Sequence, residues 1–489
     1  MILLVLLLLP LLAVAGAWAW RGDPRVVARG SAVTSGAGLL LSLVLAGQIL
    51  RIESVGFGRG DFLRADGLSA VLILVVSLVA WVSLQYGDGM LRRARDRKEL
   101  DDAHLRRYYL LTNLFLFTML LSVTANNVGV MWVAVEATTI TTAFLIGLED
   151  SREALEASWK YILIGSVGIA LAFVGTVLGY FDFVQRVGET PHALNWSVLA
   201  GVADRLNGDV LRIAFVFVLV GYGTKAGLAP MHTWLPDAHS EAPAPTSSMM
   251  SGALLVVALY AILRWKVVVD ACVGSVFTDR LLILTGTLSV AVAAILLIRQ
   301  VSYKRMLAYS SVEHVGLMCV GAGLGPLGTL AALLHMIGHG AGKSLLFLLS
   351  GNVREAYGST RIAAVRGLLG ARPWTGGLFL AGTLALLGLP PFSLFVSEVM
   401  IFRAGFLAGH PAVTALLILL TLVIFVFFLG YVNRMLYGES PAEMPAAPES
   451  RPLEMLPLAA NLAVLLAAGI VVPAPLLRLL RLAAGVIHP

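Results

Sequence analysis

Gly221-Tyr-Gly-Thr-Lys-Ala-Gly-Leu-Ala-Pro-Met-His-Thr-Trp-Leu-Pro-Asp-Ala-His239 is the stretch on which the reading of the fold turns. It continues the apolar run Ile213–Tyr222, and Lys225 stands five residues before Pro230. A lysine inside a membrane helix is costly and marks a functional site by default. A helix broken by Gly and Pro at membrane depth is tolerated only where it is buried in protein or lines a cavity. Together they predict a mid-membrane site where an ammonium gains and loses a proton. The competing reading of Lys225 is a static buried ion pair.

The composition sets the same frame. Of 489 residues, 58% are hydrophobic and 13% charged, and the mean hydropathy is +0.87. That is the profile of an all-α, polytopic membrane protein rather than a soluble one. Residues 1–20 lack a basic segment before the apolar stretch, and Trp18, Trp20 and Arg21 look like an interfacial anchor, so this segment is read as an uncleaved first span. Cys272 and Cys319 have no CxxC spacing, which argues against an iron–sulfur cluster, a zinc site or a disulfide framework. No cofactor and no metal are expected in this chain. The formal charge of +6 is assigned to loop arginines near lipid headgroups, not to nucleic-acid binding. Of 35 basic residues only six are lysines: Lys98, Lys160, Lys225, Lys266, Lys304 and Lys343. Arginine keeps its proton in a protein, whereas lysine can give it up. Lys225 and Lys343, both in apolar stretches, therefore fit proton transfer.

Apolar windows recur near 2–20, 31–50, 67–86, 108–124, 127–147, 158–181, 211–229, 246–265, 281–298, 307–325, 327–350, 374–409 (broken), 412–436 and 455–472. These give about 14 transmembrane helices. Leu476–Val486, with Arg478 and Arg481, reads as an amphipathic interfacial tail. The basic loops 21–30, 87–107, 299–305 and 351–372 fall on one side, assigned to the cytoplasm, with both termini outside. Breaks fall at Pro230 in the seventh span and at Leu389-Pro390-Pro391-Phe392 in the twelfth. Paired breaks are the sequence sign of internally repeated transporters with ion sites at the breaks. The expected organisation is residues 1–107 for helices 1–3, 108–266 for a first repeat, 278–436 for a second, and 455–489 for helix 14 and the tail.

Six charged groups are candidates for a proton path. Glu136 lies mid-way along the fifth span, and Lys225 is its natural partner. The pair is read either as a proton-sensitive switch or as a structural salt bridge. His335, His339 and Lys343 follow at i, i+4 and i+8, one helix face over about 12 Å. They read as a proton wire, against two satisfied histidines and a snorkelling lysine. A metal site at this spacing lacks a local acid or third histidine to complete it. Glu398 follows the second break and reads as a terminal acid, or as an interfacial glutamate. Glu313-His314 enters the tenth span, where His314 either links the cytoplasm to the path or packs. His232, Asp237 and His239 are expected to order the loop after Pro230. Lys160 is expected to tune Glu136 or to snorkel.

These residues resemble a known family. Lys225 through Ser248, with Trp-Leu-Pro-Asp-Ala-His and Ala-Pro-Ala-Pro-Thr, is similar to the signature of the antiporter-like membrane subunits of respiratory complex I, of Mrp-type antiporters and of energy-converting hydrogenases. The run Thr124-Ala-Asn-Asn-Val-Gly-Val-Met-Trp-Val-Ala-Val-Glu-Ala-Thr138, Glu313-His314 and Ala154–Tyr161 resemble most the F-type membrane component of hydrogenase-4. The resemblance implies fourteen helices, spans 4–8 and 9–13 as inverted five-helix repeats, and a charged central axis. Glu136, Lys225, His335, His339, Lys343 and Glu398 are its positions here. The chain departs from complex I subunits at Ser251–Tyr260, which has no titratable group before Tyr260; Val256 stands where relatives carry a base. Water would have to fill that gap, and Ser247, Ser248, Ser251, Thr285 and Thr287 are the hydroxyls available to line it.

The function expected first is a proton-translocating membrane subunit of a redox-driven complex, either hydrogenase-like or complex I-like. The redox chemistry would sit on a peripheral module, and the expected partners are other membrane subunits, lipid and protons, with no nucleic acid. The expected place is the cell inner membrane. The alternatives are a subunit of an Mrp-type cation/proton antiporter, a membrane subunit of a bicarbonate or carbon dioxide uptake complex, and a scaffold that has lost transport.

Overall fold

Short polar residues stand just before most of the apolar runs and start the helices there. In a computed structural model describing residues 1–439, 449 and 454–488, Asp23, Asp66, Asp101, Asn127, Ser151 and Asn207 each accept a backbone N–H in the first turn of the helix that follows. The helices so begun are α2 (Pro24–Ile52), α3 (Gly67–Asp96), α4 (Asp102–Thr124), α5 (Val128–Ile146), α6 (Arg152–Val187) and, after the short α7 (Trp196–Gly201), α8 (Gly208–Ala226); α1 (Ile2–Ala19) precedes them. There follow α9 (Trp234–Glu241), α10 (Ala244–Met249), a π-helical turn (Met250–Leu254) and α11 (Leu255–Val273). Next come α12 (Val276–Leu297), α13 (Tyr303–Ala322), α14 (Gly325–Tyr357) and the short α15 (Leu368–Ala371). The chain continues with α16 (Pro373–Leu386), α17 (Ser393–Leu407), α18 (Pro411–Leu436), α19 (Leu456–Ile470) and α20 (Ala474–Ile487).

Among the described residues nine helices are long and apolar enough to cross a membrane by length and composition. They sort by burial. The apolar windows of α10–α11 and of α14 are wholly buried, whereas only about a quarter of those of α2 and α18 is buried. The exposed faces are apolar, with Val33, Leu40 and Leu43 on α2 and Leu419, Leu422 and Val426 on α18. Such faces suit lipid, and the buried helices form the core that the lipid-facing ones surround. At the centre, α14 packs against α3, α10, α13, α16, α17, α19 and α20. Close approach there requires glycine: a Cβ on Gly340 would stand 2.8 Å from Val75 Cγ1 and 3.0 Å from the Gly252 carbonyl oxygen.

Both proline breaks are present. α8 stops at Gly227, whose φ of +78° lies in the left-handed region, and Trp234 Nε1 donates to the freed Thr224 carbonyl at 2.8 Å. The second break separates α16 from α17 and turns at Gly388, φ +63°.

Three features differ from the sequence reading. α2 and α3 run well into the basic loops assigned to 21–30 and 87–107, because Pro24 is a favourable first helical residue and the arginines of α3 find partners. Ser54–Phe57 and Leu63–Asp66 pair as an antiparallel hairpin, too short to show in hydropathy. α20 turns 80° from α19 and lays Leu479, Leu480, Ala483 and Ile487 on protein, chiefly α3 and α14, while Arg481 on its other face is exposed. The four basic loops, which the sequence reading put on one side, are tied together on one face. Arg93 and Arg97 pair with Glu355 at 2.8 and 2.6 Å, Arg95 pairs with Asp23 at 3.7 Å, and Tyr303 N donates to the Thr360 carbonyl at 3.1 Å.

Candidate functional site

α5, α6 and α8 bring the first group of candidates together. Lys225, in the last turn of α8, is fully buried, and its Nζ donates to the Tyr161 hydroxyl at 2.6 Å while lying 4.5 Å from the centre of that ring. Thr142 Oγ1 lies 2.6 Å from the same phenol oxygen. Glu136 is half-buried and accepts from Thr139 Oγ1 at 2.9 Å and Ser166 Oγ at 3.3 Å. Lys225 and Glu136 make no ion pair within 4.0 Å, so the direct pairing expected from sequence is corrected. The aromatic residue one helix away fills the space between α5 and α8, and it is Tyr161 that touches the lysine. Its position inside the Trp-Lys-Tyr run was visible in the sequence, but no period or spacing marked it as a partner of Lys225.

Lys160 does not reach Glu136 either. It pairs at the surface with Glu156 at 2.6 Å and Asp237 at 3.2 Å, and Asp237 also binds Arg305. Asp237 thus orders the loop after the first break, as its sequence position implied. His239 does more than order the loop. It is fully buried, stacks on Phe347 with ring centres 5.0 Å apart, lies within electrostatic reach of Lys304 and Lys343, and neither ring nitrogen has a hydrogen-bond partner among the described residues.

The second group gathers around α14. His335, His339 and Lys343 are all fully buried on one face, but each bonds sideways rather than along the helix. His335 Nε2 lies 2.9 Å from His314 Nδ1, and its Nδ1 lies 2.9 Å from Ser397 Oγ. His339 Nε2 donates to the Ser251 carbonyl at 3.1 Å, within the π turn, where the backbone ladder is re-registered. Lys343 Nζ donates to the Leu307 carbonyl at 2.8 Å and to Ser310 Oγ. A wire confined to α14 is therefore corrected: α13 supplies the links. His314 is buried with its ring 5.0 Å from His335 and 5.3 Å from His339, and Glu313 is buried within electrostatic reach of Lys343. Glu398 is not set at an interface by itself. Its carboxylate fills the space over Gly388, and one of its oxygens comes within 4.8 Å of a ring nitrogen of both His314 and His335.

Val256 is fully buried, and buried hydroxyl pairs lie one to two turns before it. Ser248 Oγ donates to Ser344 Oγ at 3.0 Å and lies 2.8 Å from Ser83 Oγ, while Ser251 Oγ lies 2.8 Å from Ser311 Oγ. Ser247 donates to the His239 carbonyl at 2.9 Å. Thr285 turns back to its own helix, and Thr287 has no partner among the described residues. On the face with the basic loops, a cavity of about 660 Å³ is lined by Arg97, Glu149, Lys304, Arg354 and Glu355 among others. Lys304 is buried there, donating to the Ser240 and Ala242 carbonyls at 2.7 and 2.8 Å.

One buried charge differs from all of these. Arg264 binds Asp66 through two hydrogen bonds of 2.7 Å and is stacked on Trp196 and Tyr260. That geometry is fully satisfied and holds α3 to α11.

Comparison with known proteins places this architecture. The sequence pattern described as "NADH:quinone oxidoreductase/Mrp antiporter, TM" matches residues 125–424. A hydrogenase-4 component F homolog of Methylacidiphilum infernorum (isolate V4) is 38% identical over 73% of this chain and 75% of its own length. NADH-quinone oxidoreductase subunit N of Desulforudis audaxviator (strain MP104C) is 29% identical over 90% of this chain and 86% of its own. Among solved structures, a chain of the membrane-bound sulfane sulfur reductase, an archaeal respiratory membrane complex, superposes with a TM-score of 0.87 at 25% identity over 99% of this chain and 97% of that one. With a family match across most of its length and a superposition that spans nearly all of it, the chain belongs to the NADH:quinone oxidoreductase/Mrp antiporter transmembrane family.

Proposed function

We propose that this chain is a proton-translocating membrane subunit of a redox-driven, multi-subunit complex of the hydrogenase or NADH:quinone oxidoreductase kind, seated in the cell inner membrane. The observation that carries this reading is the state of the two central lysines. Lys225 and Lys343 are fully buried and bonded to a phenol, a hydroxyl and a carbonyl, with no carboxylate in contact among the described residues. A charge kept for structure is paired and bidentate, as in Arg264–Asp66. An uncommitted lysine can lose and regain its proton.

In this reading protons come in from the 660 Å³ cavity. Glu136 with Lys225, and Glu313 with Lys343, are two acid–base stations. Tyr161 relays at the first, and Ser310, His314, His335 and His339 at the second. Glu398 ends the file. The hydroxyl pairs Ser248–Ser344 and Ser251–Ser311 bridge the stretch around Val256. Charge changes on redox partners would drive the stations in turn; this chain supplies the path, and its partners the electron transfer. Fourteen spans, with residues 108–266 and 278–436 as inverted repeats and both termini outside, complete the proposal.

The test is Lys225→Arg in the assembled complex, with Arg264→Lys as a structural control. Lys225→Arg should assemble and lose redox-driven proton uptake into inverted vesicles by about tenfold or more, since arginine stays protonated. Uptake at the unmodified rate would overturn the shuttle. An Mrp-like antiporter would instead move protons in the same vesicles against an imposed sodium gradient, without any electron donor.

A further inference from the structure

We propose that His314, His335 and Glu398 form a binding site for a borderline-soft divalent cation, zinc above all, where α13, α14 and α17 meet. One ligand atom from each residue lies within 4.8 Å of the other two. Two imidazoles and a carboxylate are the donor set of open zinc sites, with the fourth position left to solvent. Magnesium and calcium need a shell of oxygens that this cluster does not offer.

The distances suit zinc. Zinc–nitrogen bonds of ~2.0–2.1 Å at tetrahedral angles put two nitrogen ligands about 3.3 Å apart. His314 Nδ1 and His335 Nε2 are 2.9 Å apart, so the rings need to part by only about 0.4 Å. The carboxylate must close by at most about 1.5 Å, which a turn of the flexible glutamate side chain supplies.

Hydrogen bonds orient one of the ligands. Ser397 has one hydroxyl hydrogen, and it goes to the Leu394 carbonyl at 3.0 Å. Ser397 Oγ therefore accepts from His335 Nδ1–H, which leaves the Nε2 lone pair facing His314 and Glu398; without metal that lone pair accepts from His314 Nδ1–H, and a metal takes the place of this hydrogen once His314 carries its proton on Nε2 instead. A ligating histidine is typically held by such a bond from its other nitrogen. One helix, α17, thus delivers both the residue that orients His335 and the third ligand. His314 has no partner on Nε2, so no second bond resists a small rotation of its ring. Glu398 is the least buried of the three. The sequence hides all of this, because the histidine pair at i, i+4, His335 and His339, sends His339 to the Ser251 carbonyl instead.

The site stands on its geometry alone. One consequence rests on the transfer role proposed above: a bound ion would occupy the lone pairs and the carboxylate through which a proton passes, and would stop flux.

The experiment is titration of the full chain in lipid nanodiscs with Co²⁺ as a coloured substitute for zinc. One equivalent of tetrahedral Co²⁺ absorption, displaced by Zn²⁺, is expected. His335→Ala and Glu398→Gln should each weaken binding by roughly tenfold or more. X-ray absorption at the zinc edge of the unmodified protein should show two imidazoles among nitrogen and oxygen ligands, and it does not depend on either variant folding. Absence of binding, binding unchanged by both substitutions, or a coordination sphere without imidazole would overturn the site. Proton flux with and without Zn²⁺ is measured separately. Inhibition of the unmodified protein over the same Zn²⁺ concentrations that displace Co²⁺ supports the blocking role, while full binding without inhibition leaves the metal site standing and refutes that role.

Discussion

Two buried cations define what single residues do here. Arg264 has every donor direction that matters filled by Asp66 and Ser69, so its charge is locked. Lys225 has the Tyr161 hydroxyl as its one hydrogen-bonded partner among the described residues. The difference is chemical: the arginine fork matches a carboxylate, whereas an ammonium on a flexible stem can change partners. Tyr161 is therefore the residue to remove. Tyr161→Phe keeps the ring and its 4.8 Å packing on Trp234 but deletes the hydroxyl that accepts from Lys225. Unfolding stability should fall by about 1–3 kcal/mol, because buried Lys225 loses its partner, while proton flux falls by about tenfold. Thermal unfolding and vesicle uptake measured side by side check this; unchanged flux would reduce Tyr161 to packing.

At the scale of elements, the π turn Met250–Leu254 and α14 act as one unit. The turn offers its Ser251 carbonyl to His339, its Ser251 hydroxyl to Ser311, and its Gly252 to close contact with Gly340. π turns inside α-helices often sit at functional sites because they re-aim backbone and side chains. Gly340→Ala would put a methyl group 3.0 Å from the Gly252 carbonyl oxygen and 2.8 Å from Val75. The helices must then part, at a cost of about 1–3 kcal/mol. Gly377→Ala on α16, with nothing within 4 Å of the new Cβ, is the matched control. A lowered unfolding midpoint for the first and an unchanged one for the second is the expected result. Equal midpoints would mean that the α14 contact yields without strain.

Across the whole molecule, charge is divided between the two ends. The basic loops, their carboxylate partners and the large cavity share one face. The hairpin lies at the other end, joined to the segment after α6 where Asn195 Nδ2 donates to the Gly60 carbonyl at 2.7 Å. The proposed orientation puts the basic face in the cytoplasm. With Cys272 and Cys319 replaced, Lys98→Cys should react with a membrane-impermeant maleimide only in inverted vesicles. Glu189→Cys should react only in right-side-out ones. Labelling with the opposite sidedness would reverse the orientation.

Read alone, the sequence settles the helices, because a bilayer sets their length and every backbone group in lipid must be bonded within the segment. Capping residues such as Asp66 and Asn127, and the prolines at 230 and 391, mark where helices start and break, since these are local effects of one or two residues. The scarcity of lysine singled out Lys225 and Lys343 before any contact was known. Only the tertiary structure decided what those lysines touch. Helical period tells which residues share a face, but not which neighbouring helix that face meets. Tyr161 at Lys225, His314 between His335 and His339, and Glu398 beside both His314 and His335 come from different helices, and their meeting depends on packing angles and on glycine contacts such as Gly252 with Gly340. The partners of a buried charge are chosen by that packing, because a side chain removed from water must bond to whatever polar group the neighbouring helix presents.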